Sequence, residues 1–179
     1  MDNIAFDLIS CIIIGAFVIV VMVQDIKEYK IKNISVIVMI AAGMLLRTVF
    51  GGAEGALGGF LGMLIPLALF PLFALRMLGA GDIKALCAVG AAVGAYQSLW
   101  FTVFSIISGG FIALLFMISR KNASERLGGL IKYIKFSIMS RSLKEYPAGG
   151  ERSVFRFSFG IAGGYCIYVI MTIVKYLGG

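Results

Sequence analysis

Two aspartates have surroundings that suit acid–base chemistry. Asp25 follows a run of apolar residues, and Asp82 lies in the glycine-rich stretch GAGDIK at residues 79–84. Two neighbouring carboxylates can share a proton, so that one draws a proton from water while the other protonates or polarises a scissile carbonyl. Such a pair titrates as one coupled unit, because two close like charges are costly to hold. The two residues are therefore candidates for the site of an aspartic peptidase.

Each aspartate also has a simpler interpretation when it is taken alone. An Asp in a short loop is commonly solvated, and a Gly-Asp pair before a helix is commonly just an N-terminal cap. The peptidase interpretation requires that the fold bring Asp25 and Asp82 together. Whether it can do so depends on the segments that carry them.

The composition of the chain predicts a membrane protein. Hydrophobic residues make up 60% of its 179 residues, charged residues make up 14%, and the mean hydropathy is +1.00. A water-soluble domain of this size is not so apolar. We expect an all-α, polytopic membrane protein that forms a single membrane-embedded domain over residues 1–179. Apolar runs of spanning length predict about six transmembrane helices, at residues 4–23, 34–50, 57–75, 82–97, 98–119 and 154–176.

The charged residues indicate how the predicted spans are oriented. The formal charge is +7, and thirteen of the sixteen Lys and Arg residues lie in three connectors on one side: residues 24–33, Arg76 to Lys84, and residues 120–152. This is the distribution of the positive-inside rule, so we attribute the charge to topology and expect no nucleic-acid partner. The connectors should face the cytoplasm, with both termini outside. The basic segment 120–152 is either an amphipathic helix on the anionic lipid leaflet or a solvated connector.

The sequence gives no indication of a metal or cofactor site. The three cysteines lie in apolar runs without CxxC spacing, and the chain has no histidine. This excludes a Cys/His zinc site and is typical of inert, buried thiols. We expect neither a metal nor a cofactor.

The predicted topology places both aspartates on the cytoplasmic side. Asp25 would close the first span, and Asp82 would open the fourth, which small residues predict to be the packed central helix. Helix N-termini favour carboxylates and C-termini disfavour them, so we expect Asp82 to be the more acidic of the two. For three other charged residues we expect no functional role. Asp7 and Glu54 should lie at the outer membrane interface, and the side chain of Arg47 should extend outward to that interface.

The motifs around the two acids resemble those of a known family. GAGDIK fits the GxGDxK signature of the type IV prepilin peptidases, a family of GxGD aspartic peptidases. The segment QDIKEYKIKN at residues 24–33 is similar to the family's first motif, in which the other Asp ends a span shortly before Ile-x-Asn, here Ile31 and Asn33. RFSFGIAGG at residues 156–164 resembles the start of the family's last span. Size and layout are most similar to the short branch that processes Flp-type (tight adherence) pilins, to which archaeal preflagellin peptidases are related.

The resemblance implies a catalytic pair and a substrate class. Asp25 and Asp82 would be the catalytic residues. Four further positions would support them: Gly79 and Gly81 in the tight turn, Lys84 beside Asp82, and Asn33 in the first motif. The substrate would be a prepilin or pseudopilin, cut after a glycine between its basic leader and its hydrophobic helix, at the cytoplasmic face of a prokaryotic inner membrane. Two departures are Lys32, where many members have Pro, and the absence of the CxxC region of methylating relatives.

Two other classes of function stay open. A small proton- or cation-coupled transporter also places acids at the edge of the membrane. Against it, the charged groups cluster at one face, and no acid falls near the middle of a predicted span. A noncatalytic assembly protein is the third class, for which Asn should replace either Asp without loss.

Overall fold

A computed structural model describes residues 4–74, 78–119 and 157–177. Within these ranges every regular element is helical, which confirms the all-α prediction. The basic segment 120–152 lies outside them. The elements are α1 (Ile4–Glu28), α2 (Asn33–Leu64), a 3-10 helix (Ile65–Leu69), α3 (Phe70–Ala74), α4 (Ala80–Val93), α5 (Ala95–Ser119) and α6 (Ser158–Leu177).

Four helical stretches of the described chain are long and apolar enough to cross a membrane. They are Ile4–Glu28, Asn33–Ala74, Ala95–Leu115 and Ser158–Leu177. The polytopic character is therefore confirmed, while the count of six spans stays a prediction. α4, with 14 residues, is about 21 Å long, less than the ~30 Å hydrocarbon core of a bilayer.

The longest stretch turns back on itself at Gly52. This residue has φ 56° and ψ −144°, a conformation that favours glycine. A Cβ atom built at Gly59 would lie 2.9 Å from the Sδ atom of Met44, whereas fifteen residues of straight helix span about 22 Å. α2 is thus a hairpin of two antiparallel arms, residues 33–51 and 53–64, which coincide with the second predicted span and the start of the third.

α4 is the central helix of the bundle, as the small residues of its sequence predict. From Ala85 to Val93 all of its residues are buried. Glycines of α2 bring that helix close: Gly43 packs against Ala92, and Gly62 packs against the backbone of Gly90. These contacts pack the second half of α4 directly against α2, and so fix the helix whose first turn carries Asp82.

α6 runs antiparallel to α1 and contacts it at both ends. Near the start of α1, the carboxylate of Asp7 accepts a hydrogen bond of 2.6 Å from the Tyr176 hydroxyl and lies 3.3 Å from the Lys175 ammonium. We call these three residues the Asp7 cluster. At the other end of α1, Ser158 lies beside Asp25. Asp7 is only 3% exposed, so it is packed among these partners, while its prediction as an outer-interface residue concerns membrane depth and stays a prediction.

Arg47 contacts the second arm of the α2 hairpin and the end of α4. The prediction that its side chain extends outward is therefore wrong. Its Nε donates to the Gly55 carbonyl oxygen at 3.0 Å, and its Nη1 lies 3.5 Å from the carbonyl oxygen of Ala92, in the last turn of α4. The guanidinium also lies 5.7 Å from the ring centre of Phe6. A cation at the C-terminal end of a helix satisfies carbonyl groups that have no partner within the helix.

Candidate active site

Asp82 lies in the first turn of α4, as the sequence predicts. Its Oδ2 accepts a hydrogen bond of 3.2 Å from the backbone N–H of Gly79, and its own N–H donates to the Gly79 carbonyl at 3.1 Å. The side chain thus caps the helix that carries it. The capping geometry holds the carboxyl over the turn, with one oxygen engaged.

Neither motif glycine has the positive φ that favours glycine, so we consider the room that each leaves for its neighbours. Gly79 has φ −77° and ψ 146°, which any residue adopts. A Cβ atom at Gly79 would, however, lie 2.9 Å from Oδ2 of Asp82, so glycine leaves the room that the carboxyl occupies. A Cβ atom at Gly81 would lie 3.4 Å from the side chain of Ile31, an ordinary contact. The tight turn and close approach implied for the two glycines are thus represented at Gly79 by the turn to Asp82 and by the room left for its carboxyl.

Asp25 lies in the last turn of α1, which extends past the predicted span end and stops at Glu28. The carbonyl of Asp25 accepts a hydrogen bond of 3.2 Å from the N–H of Tyr29, whose φ of 51° ends the helix. Its carboxylate Oδ2 accepts a hydrogen bond of 2.5 Å from the hydroxyl of Ser158. Asp25 is partly exposed, while Ser158 is fully buried at the first position of α6.

Sequence reasoning missed Ser158 as a residue of the site. It lies 133 positions from Asp25, inside the stretch RFSFGIAGG, where the resemblance pointed to a helix start and not to a side chain. The signal was a polar residue at the start of an apolar run on the predicted side of the two acids. Neither spacing nor period identifies such a contact from sequence.

Side chains of the two motifs contact each other. The ammonium of Lys84 donates to the Asn33 side-chain oxygen at 3.2 Å. Ile31 is buried and packs over Gly81. Lys84 was expected beside Asp82, but the hydrogen bond that the structure gives it is to the first motif. The residues between α1 and α2 are therefore fastened to the start of α4.

Gln24 fastens the same connector to α1. Its Nε2 donates to the Ser35 hydroxyl at 2.7 Å, and its Oε1 accepts from the backbone N–H of Lys32 at 2.9 Å. Lys32 itself forms an exposed ion pair of 2.7 Å with Glu28, a contact that Pro at this position would not make. Gln24, the residue before Asp25, thus fixes the connector between α1 and α2, whose Ile31 packs over Gly81.

Electrostatics distinguishes Asp82 from an ordinary surface acid. Burial raises the pKa of its carboxyl to about 6 from 3.8, the negative charge of Asp25 raises this pKa further, and the hydrogen bond from Gly79 lowers it. The expectation of an acidic Asp82 considered the helix N-terminus and not burial, which has the larger effect. Asp82 lies outside the four candidate spans, in the first turn of α4.

We call Asp25 and Asp82 the acid pair, since the charge of Asp25 acts on the pKa of Asp82. Within residues 4–74, 78–119 and 157–177 neither acid forms an ion pair with Lys or Arg, and no group of three acids or thiols could hold a metal ion. A carboxyl with a pKa of about 6 that feels the charge of a second carboxylate is suited to exchange a proton near neutral pH.

Comparison with known proteins gives one match. Residues 12–114 match the sequence model of the Type IV leader peptidase family. The matched range covers more than half of the chain and includes both acids, Lys84 and Asn33. No curated protein and no solved structure matches the chain.

Proposed function

Because the chain belongs to the type IV leader peptidase family, we propose that it is an aspartic endopeptidase in which Asp25 and Asp82 are the catalytic residues. The observation that supports this most is that the two motifs contact each other, through Lys84 and Asn33 and through Gly81 and Ile31, with the charge of Asp25 acting on the pKa of Asp82. Paired carboxylates that titrate together are the working groups of aspartic peptidases.

The surroundings of the two acids suggest a division of roles. Asp25, which is partly open to solvent, draws a proton from a water molecule whose oxygen attacks the scissile carbonyl carbon. Asp82, whose pKa is raised by burial, gives its proton to the carbonyl oxygen. The C–N bond of the resulting diol then breaks, and the proton held on Asp25 passes to the leaving amine. The cycle ends with Asp82 taking back a proton from the diol, so that both acids return to their starting states.

The proposed substrate is a type IV prepilin or pseudopilin of the Flp type. Such a chain has a basic leader followed by a hydrophobic helix, and cleavage would follow a glycine at their junction. The acid pair lies at the end of the long apolar helix α1, a depth that suits a bond just outside a membrane-spanning helix. We place this end at the cytoplasmic face of a prokaryotic inner membrane.

Co-expression with a Flp-type prepilin tests the proposal. Leader loss is followed by gel shift and mass spectrometry for the wild type, Asp25→Asn and Asp82→Asn. Glu54→Gln is a matched control, since it makes the same carboxylate-to-amide change at an exposed position in the α2 hairpin. We expect cleavage after Gly in the wild type and the control, and none in either Asp variant at equal protein level.

The contrary results separate the alternatives. Unchanged cleavage by either Asp variant would remove that acid from the mechanism. If the wild type cleaved no prepilin, the proton- or cation-coupled transporter would become the stronger interpretation.

A further inference from the structure

We propose that Ser158 is the positioning residue of the acid pair: its hydroxyl holds one oxygen of Asp25 so that the other oxygen faces the attacking water. This inference rests on the proposed function and adds a third residue to it. The juxtaposition that carries it is the 2.5 Å hydrogen bond from Ser158 Oγ to Asp25 Oδ2, between the first residue of α6 and the last turn of α1.

The two partners differ in their access to solvent. Ser158 is 0% exposed, while Asp25 is partly exposed. The bond to Ser158 therefore lies on the protein side of the carboxylate. Within the described residues Oδ1 of Asp25 has no hydrogen-bond partner, so this is the oxygen that is left to accept a proton from water.

The position of Ser158 is fixed by the packing of α6 on α5. The carbonyl of Phe157 accepts hydrogen bonds from Gly160 (2.8 Å) and Ile161 (3.1 Å), which starts α6 directly at Ser158. The ring of Phe157 lies against Gly109, and a Cβ atom at Gly160 would lie 2.8 Å from the Ser105 carbonyl oxygen. A donor on so closely packed a helix start cannot follow Asp25 if the carboxylate turns. It therefore holds the carboxylate in one orientation.

The contact also fits the roles given to the two acids under the proposed function, in which Asp25 takes a proton from water and Asp82 gives one to the carbonyl oxygen. Ser158 touches the acid that acts as the base.

Steady-state kinetics of three serine variants tests this role. The full chain, purified in detergent micelles, is given a synthetic Flp-type prepilin with a basic leader, a junction glycine and a hydrophobic helix. Ser158→Ala removes the donor, Ser158→Thr keeps it, and Ser105→Ala is the matched control. Ser105 is also 0% exposed and also contacts α6, at Gly164, but its hydroxyl has no hydrogen-bond partner among the described residues.

We expect the loss to appear in kcat and not in KM. Ser158→Ala should lower kcat by about tenfold or more, the value of one hydrogen bond to a charged group, while KM changes by less than about twofold. Ser158→Thr should recover most of the lost kcat. Ser105→Ala should have wild-type kcat and KM, because it alters packing between the same helices without touching Asp25.

Several outcomes would overturn the inference. Wild-type kcat in Ser158→Ala, or a change in KM alone, would each show that the hydroxyl does not position Asp25. If one of these results were obtained while Asp25→Asn and Asp82→Asn were inactive in the same assay, only the role of Ser158 would be disproved. If these Asp variants were active, or the wild type inactive, the proposed function and this inference would fall together.

Discussion

The two ends of α1 hold acids in opposite surroundings. In the Asp7 cluster, a carboxylate that is 3% exposed has a cation and a phenolic hydroxyl as partners, both from the end of α6. At the acid pair, the start of α6 provides a neutral hydroxyl, and α4 provides a second acid. Within the described residues, one end of α1 thus has an acid with a cationic partner, and the other end has two acids without one.

This difference separates an acid that has a cationic partner from two acids that lie at one site. A carboxylate beside a cation is attracted to that partner. Among the described residues the acid pair has no such cation, and both burial and the charge of Asp25 oppose the ionisation of Asp82. Folds keep such groups where a proton must be exchanged near neutral pH. The acid pair, and not Asp7, therefore fits a catalytic role.

The largest expected effect is on catalysis, where the acid pair should behave as one unit. We expect Asp25→Asn and Asp82→Asn each to lower kcat/KM by about a thousandfold or more, and the double variant to be little worse than either. Asp7→Asn should keep kcat/KM within about threefold of the wild-type value. When it is combined with either Asp variant, the two fold-losses in kcat/KM should multiply. Purified enzyme and a synthetic prepilin suffice for the measurement. If the kcat/KM losses of the two single variants multiplied in the double variant, Asp25 and Asp82 would act independently. The acid pair would then not differ from Asp7 in this respect.

The next effect is on the pH dependence of cleavage. As proton donor, Asp82 must be neutral, and its pKa is about 6. We therefore expect kcat/KM to fall by about tenfold per pH unit above this value. Lys and Arg of a basic leader do not titrate between pH 5 and 8, so the fall belongs to the enzyme. Asp7→Asn should keep the same profile. A value of kcat/KM that rises between pH 6 and 8 would exclude Asp82 as the donor.

The sequence predicts the ends of the helices better than it predicts their partners. Apolar run lengths placed Asp25 near the end of α1, and the glycine-rich turn placed Asp82 at the start of α4, because both are local features of the chain. The partners of buried polar groups depend on how helices rotate and pair, which local pattern does not specify. Ser158 beside Asp25 and Lys175 beside Asp7, 168 positions away, could not be found in this way, and neither could the contact of Arg47 with α4.

The burial of the Asp82 carboxyl is a second property that could not be predicted from the sequence. The position of Asp82 at a helix N-terminus was correct, and the hydrogen bond that this position provides is present. The prediction that Asp82 is the more acidic of the two considered this position alone. The surrounding helices remove water from the carboxyl, and this desolvation raises its pKa by more than one N–H donor lowers it. Depth inside a bundle follows from tertiary packing and has no counterpart in a motif.

The smallest expected effect is on stability, and its sign should differ between the two ends. Asp7→Asn removes the attraction of a buried carboxylate to Lys175 and should destabilise the protein by about 1–2 kcal/mol, less than for a fully buried pair because Lys175 is 41% exposed. Asp82→Asn removes a buried charge that has no cation among the described residues. At pH 8 it should stabilise the protein by about 1 kcal/mol.

The pH dependence of this gain follows from the raised pKa of Asp82. Between pH 3.8 and about 6 the folded chain keeps a proton that the unfolded chain releases. The stability of the wild type therefore falls as the pH rises through this range. Asn does not titrate, so the advantage of Asp82→Asn should be larger at pH 8 than at pH 5. Melting temperatures in one detergent at both pH values measure this. If Asp82→Asn melted below wild type at pH 8, its carboxylate would be compensated as Asp7 is, and the two ends of α1 would not differ.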